Sequence, residues 1–196
     1  RETYTSGQRD DVFRNATVLL YRLLFILYAE ARDLLPLEVP EYCSVSLDAL
    51  VEQAAQYVKV TGLPDPDGTE LWQDLSDLCS WINSGDEDHH IPAYNGDLFD
   101  DSDKRYIHDH TIADKYLAPA LFSLGAIGDD SEARYRRIDY RDLSVRHLGS
   151  IYEGLLEYKL FIAQERRVRR SDGKGGYMFP KLSHTRLKKG EEDHVI

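Results

Sequence analysis

Cysteine is scarce in this chain. Its 196 residues hold two, Cys43 and Cys79. That is too few for the disulfide framework of a small secreted domain and fits a reduced, cytoplasmic setting with buried thiols. A single Cys43–Cys79 bridge is the alternative. Long apolar runs are missing too. The longest, residues 18–31, is broken by Arg22 and Glu30 and falls short of the ~20 residues that span a bilayer, so no membrane partner is expected. No basic-then-apolar leader opens the chain, and its first residue is arginine, not methionine; a piece cut from a longer protein is the expectation. There is no internal repeat and no low-complexity tract. A phosphate-binding loop, a GxSxG elbow and a Rossmann glycine fingerprint are absent as well. No residue is therefore named as catalytic, and no metal or cofactor is expected in the chain itself.

What is present is ordinary in amount and uneven in placement. Hydrophobic residues make up 42% and charged residues 30% of the sequence, which suits a globular fold with a sizeable core. The net charge is −11. Residues 131–196 hold 15 Lys+Arg against 10 Asp+Glu, which leaves 9 against 25 of the whole-chain 24 and 35 for residues 1–130. The acidic part disfavours non-specific nucleic-acid binding. A phosphate backbone, if one binds, belongs on the basic part.

Apolar periodicity predicts helices over most of the first part. A long one runs from Asp10 or Asp11 to about Leu34, after an extended or frayed start over residues 1–9. Its stripe is Ala16, Leu20, Leu23, Leu24, Leu27 and Ala31, widened by Phe13, Phe25 and Tyr28, and Pro36 ends it. Residues 36–45 read as a loop. Ser46 caps a second helix to about Val60, with Leu47, Leu50, Val51, Ala54 and Val58 inward. Thr69 opens a third, with Leu71, Trp72, Leu75, Leu78, Cys79 and Ile82 on its face and Gly85 as its stop. Residues 86–110 have no period and read as an ordered surface loop pinned by Ile91, Tyr94, Leu98 and Phe99, with a turn at Asn95-Gly96. Residues 112–125 are helical through Ile112, Tyr116, Leu117, Leu121 and Leu124. Pro119 either kinks that helix or lies in its first turn. Residues 126–136 read as a charged linker. Ser144 then caps a helix carrying Val145, Leu148, Ile151, Tyr152, Leu155 and Leu156 on one face. Gly149 and Gly154 each cost that helix about 1 kcal/mol against alanine, which predicts close packing on the first long helix. Two strand-like runs then flank the turn SDGKGG, a hairpin signal, and the tail offers a third strand.

Three constellations carry candidate chemistry. His89, His90, His108 and His110 lie among aspartates, but their spacing is unlike that of a structural zinc site, so a metal-dependent hydrolase is a distant reading. Asp142, Glu157 and Lys159 imitate a nuclease triad. The intervening helix holds Asp142 and Glu157 about 20 Å apart, so they do not converge on an ion. The third is the basic cluster Arg166, Arg167, Arg169 and Arg170, with Lys188 and Lys189 in the tail. Guanidinium groups suit bidentate phosphate contact, which makes these six the candidate DNA-binding residues. The bland alternative is a charged edge that blocks strand-to-strand aggregation.

LLYRLLFILYAEARDLLP at 19–36, IPAYNGDLFD at 91–100 and YRDLSVRHLGSIYEGLLEY at 140–158 together resemble the type IIG restriction–modification family. Its members fuse an endonuclease to an adenine-N6 DNA methyltransferase, and related stand-alone methyltransferases share the segments. The resemblance covers most of residues 10–160 in matching order. In that family these segments form the helical connector between the nuclease and the methyltransferase core, which opens with a Gly-Ser-Tyr-Tyr-Thr-Pro-like motif that helps bind S-adenosylmethionine. The sequence stops at Ile196 without that motif, without Asn-Pro-Pro-Tyr and without the Gly-rich cofactor motif. The resemblance thus implies a connector that neither methylates nor cleaves alone. It implies a parent protein that uses S-adenosylmethionine and acts on double-stranded DNA, with flanking nuclease and methyltransferase domains as partners.

The expected architecture is mainly α, a bundle-like helical domain over residues 1–156, followed by a small antiparallel β-hairpin over 157–196. Gly149, Gly154, Tyr152, Asn95 and Gly96 are the expected structural positions. The alternative function is a helical protein–protein interaction module unrelated to DNA, which predicts a large exposed apolar patch.

Overall fold

Helix α1 shows how local chemistry sets the fold. It spans Ser6–Ala31 in a computed structural model that describes residues 5–94, 96–100, 109–128, 135–156, 170–171 and 177–178. The helix starts earlier than periodicity alone predicts because Thr5 and Gln8 form a capping box. The Gln8 amide donates to Thr5 Oγ1 at 3.2 Å and the Thr5 amide to Gln8 Oε1 at 2.9 Å, so two otherwise orphaned donors are satisfied. Residues 6–9 are therefore helical, not frayed. Its other end is a Schellman turn. The Leu34 amide donates to the Ala29 carbonyl at 2.9 Å and the Asp33 amide to that of Glu30 at 3.2 Å, with Asp33 left-handed at φ 56°. Pro36 lies beyond a stop already made.

The architecture is mainly α with small antiparallel strand pairs, and the chain divides into two compact units, Arg1–Tyr158 and Lys159–Ile196. In the first unit the segment expected as a loop contains a one-turn helix, α2 (Pro40–Cys43), with proline at its start and Tyr42 buried. Cys43 is exposed on it and Cys79 is buried; both are thiols. The expectation of two buried thiols thus fails at Cys43.

Helix α3 (Leu47–Gln56) begins where Ser46 Oγ accepts the Ala49 amide at 3.1 Å. It continues into a π turn, Tyr57–Thr61. The extra residue in that turn rotates later side chains off the buried face, which is why Val58 is 38% exposed rather than inward. Helix α4 (Glu70–Ser84) buries Leu71, Trp72, Leu75, Leu78, Cys79 and Ile82, the face its period predicts, and Gly85 at φ 82° ends it.

Helix α5 (Asp114–Gly125) contains Pro119 in its interior; it begins before Leu117. Its first residue ties two helices together. The Asp114 amide donates to the Gly68 carbonyl at 2.8 Å, and its carboxylate accepts the Leu71 amide at 3.2 Å. Asp114 thus caps α4, whose own Thr69 makes no side-chain cap. Leu117 and Leu121 are buried, but Tyr116, expected inward, is exposed. The expected charged linker is instead a strand pair, β1 (Ala126–Gly128) with β2 (Tyr135–Arg137), Ala126 opposite Arg137. Helix α6 (Val145–Leu156) starts as expected at Ser144, whose Oγ accepts the His147 amide at 3.3 Å.

The core forms where α3 packs on α5, with α4 and α1 against them. Ile26, Leu27, Val51, Leu75, Ile82 and Leu121 are among its buried members. Residues 7–31 are long and apolar enough, by length and composition, to cross a membrane. Leu23, Leu24, Ile26, Leu27 and Ala29 are nonetheless buried in this unit, as in the core helix of a globular fold. The N-terminal half is different: Ala16 is exposed and Phe13 and Leu20 are half-buried, so the expected continuous buried stripe begins only near Arg22.

In the second unit β3 (Arg170–Ser171) pairs antiparallel with β4 (Tyr177–Met178), Arg170 opposite Met178; the Gly-rich turn expected between them lies outside the described residues. The third strand proposed for the tail lies outside the described residues.

Candidate functional site

Two charges interrupt the apolar face of α1, and both point inward. Arg22 is 2% exposed and Glu30 4%. They lie eight residues apart on one side of the helix, and each fastens a distant piece of chain.

Arg22 holds the loop after α4. Its Nε donates to the Leu98 carbonyl at 2.8 Å, and its guanidinium lies 5.7 Å from the Phe99 ring centre. One turn on, the Phe25 ring meets Tyr94 at 6.3 Å and Phe99 at 5.5 Å, both edge-on. The Tyr94 hydroxyl donates to the Leu34 carbonyl at 2.5 Å. Ile91 and Phe99 are buried and Tyr94 and Leu98 are packed on the core, the pinning that the sequence predicted. At the loop's turn the Gly96 carbonyl accepts the Phe99 amide at 2.9 Å; Asn95 lies outside the described residues. Segments 19–36 and 91–100 are therefore one contact unit.

Glu30 holds the start of α3. Its Oε1 accepts the Tyr42 hydroxyl at 2.7 Å and the Leu47 amide at 2.8 Å, and its Oε2 accepts the Asp48 amide at 3.1 Å. With Ser46 on Ala49, three first-turn amides of α3 are satisfied, two of them by a side chain from another helix. Burial pushes the Glu30 carboxyl up to about 7, against the downward pull of these hydrogen bonds. Burial and the neighbouring carboxylate push the Tyr42 hydroxyl up as well.

Beside Glu30 lies a polar hollow of about 280 Å³, lined by Asp33, Asp48 and residues 137–141. Its two arginines are each paired with an aspartate. Arg137 binds the Asp48 carboxylate. Arg141 binds Asp139 at 2.6 Å and holds that carboxyl down at about 2. The Ile138 amide donates to the Gly125 carbonyl at 3.0 Å, and the Tyr140 hydroxyl to that of Leu124 at 2.6 Å. No nucleophile converges with a base here. The arrangement fixes the lead-in to α6 on the start of α3 and the end of α5, beside the end of α1. The start of the third segment, from Tyr140, thus reaches the hollow at the end of α1.

In the histidine loop, His89 is held by its neighbours. His89 stacks on Trp81 at 4.3 Å, and one Asp86 carboxylate oxygen takes both its amide at 2.9 Å and its Nδ1 at 2.7 Å. Those bonds hold the Asp86 carboxyl below its usual value. Among the described residues no group of three or more histidine, cysteine or carboxylate side chains is placed to hold a metal ion. His108 lies outside them. So do Glu157 and Lys159 of the triad-like set; Asp142 is in an exposed turn.

Of the basic cluster, Arg170 is on β3; Arg166, Arg167, Arg169, Lys188 and Lys189 lie outside the described residues. Tyr152 is on α6. The packing expected of Gly149 and Gly154 is not found. A Cβ built at either meets nothing within 4 Å among the described residues, α1 included, and both are exposed. Gly149→Ala and Gly154→Ala should therefore each stabilise the protein by about 0.5–1 kcal/mol through helix propensity. A denaturant midpoint that falls on either substitution overturns this.

A second concavity lies between the N-terminal half of α1 and α5. It is an open groove of about 480 Å³, floored by buried Leu23, Trp72 and Leu117 and walled by Val12, Ala16, Leu19 and Leu20 on one side and Ile112, Tyr116, Ala120 and Leu124 on the other. The few polar groups, Asn15, His110 and Thr111, do not make a catalytic set. No family model, curated protein or solved structure matches the chain.

Proposed function

We propose that the chain is the helical connector of a restriction–modification DNA adenine-N6 methyltransferase, a spacer that holds its neighbouring domains at a fixed separation on double-stranded DNA. The observation that carries this reading is the ordered set of three segments resembling that family. Their interlocking supports it: 91–100 is bonded to 19–36 through Arg22, Phe25 and Tyr94. The buried charged groups Arg22, Glu30 and Asp114 bond within the helical unit, which gives a spacer stiffness without giving it a reaction. S-adenosylmethionine and the methyl transfer belong to the parent protein. Contact with DNA falls to the basic stretch Arg166–Arg170 and to Lys188 and Lys189.

Two measurements test it. The purified chain should bind duplex DNA at about 50 mM salt and lose roughly a thousandfold in affinity by about 200 mM, as expected for about six phosphate contacts. Replacing Arg166, Arg167, Arg169 and Arg170 by alanine should flatten that dependence. No binding at low salt removes the DNA contact and leaves the spacer. The spacer itself is tested by the coding sequence beyond Ile196. A Tyr-Thr-Pro motif followed by a strand and a Gly-rich turn supports it, and a continuation lacking all three overturns it.

A second reading, a protein–protein interaction module, is favoured by one observation, the apolar groove between α1 and α5.

A further inference from the structure

We draw no further inference here: the strongest candidate, the open apolar groove between α1 and α5, carries nothing because nothing in the structure shows what covers it.

Discussion

Replacing Glu30 with alanine is expected to lower the thermal midpoint by on the order of 10 °C. The carboxylate is the acceptor for the Tyr42 hydroxyl and for the Leu47 and Asp48 amides. Removing it leaves three donors without that partner in a region where Tyr42 and Leu47 are fully buried. Each buried donor left unsatisfied costs about 1–3 kcal/mol, and partial relaxation brings the sum to roughly 3–5 kcal/mol. That is a large share of the ~5–15 kcal/mol by which a domain is stable. Glu30→Gln separates charge from hydrogen bonding. It keeps a neutral oxygen for Tyr42 and Leu47 but turns its amide donor towards a backbone donor. Near neutral pH it should cost about 1 kcal/mol, roughly one hydrogen bond, and so much less than alanine. Equal losses for the two variants refute the acceptor role.

The same group sets a pH dependence with a definite sign. Burial raises the folded-state value to about 7 from an ordinary 4.5. The native state therefore holds its proton where the unfolded chain has lost it. The stabilisation from that proton is complete below pH 4.5, falls as pH rises, and is gone above about 7, a change on the order of 3 kcal/mol. Melting curves from pH 4 to 8 should slope downward for the wild type by this contribution and lack it in Glu30→Gln. Parallel curves for the two proteins show that Glu30 does not titrate in that window.

These residues show where sequence reading succeeds and where it stops. The inward face of α4 was legible residue by residue because its period is unbroken and Gly85 ends it. The start of α3 was legible from Ser46. The end of its helical run near Val60 was legible to within a residue, but the inward placement of Val58 was not, since nothing in Tyr57–Thr61 announces a π turn and Val58 lies within it. The true start of α1 had a signal in Thr5-x-x-Gln8, hidden because the apolar stripe begins later. Arg22 and Glu30 looked like interruptions of an apolar run. Glu30, however, is three residues beyond Leu27 and seven beyond Leu23, on the stripe itself. A charge at such a position is either a misplaced surface group or a buried one with partners far along the chain, and only the fold supplies the partners. Asp114 is the same case, an apparent surface acid that caps a helix 43 residues away. The groove was illegible for a related reason: apolar spacing marks a face without saying whether another helix covers it.

Glycine gives the sharpest contrast and the second large prediction. The close approach expected at Gly149 and Gly154 occurs at Gly125, the last residue of α5. A Cβ there falls 2.2 Å from Val51 Cγ1 and 2.6 Å from Cγ2, inside contact distance of a valine that is itself fully buried in α3. Val51 is fully buried, and β-branched side chains in helices hold one strongly preferred rotamer, so rotating it away from the added methyl is costly. The added methyl thus pushes on the contact between α3 and α5, the most extensive one among the described elements. Gly125→Ala is therefore expected to destabilise by about 1–3 kcal/mol through overpacking, outweighing the propensity gain of at most ~1 kcal/mol, and Gly125→Leu by more. Val51→Ala alone should also destabilise, by leaving a cavity. Combined with Gly125→Ala it should recover part of the loss, since the added methyl enters the space the valine vacated. Chemical denaturation of the two single variants and the double variant measures the coupling directly. Strictly additive losses show that Gly125 and Val51 do not meet. A positive coupling above ~0.5 kcal/mol shows that the missing side chain at Gly125 is what lets α3 and α5 close on each other.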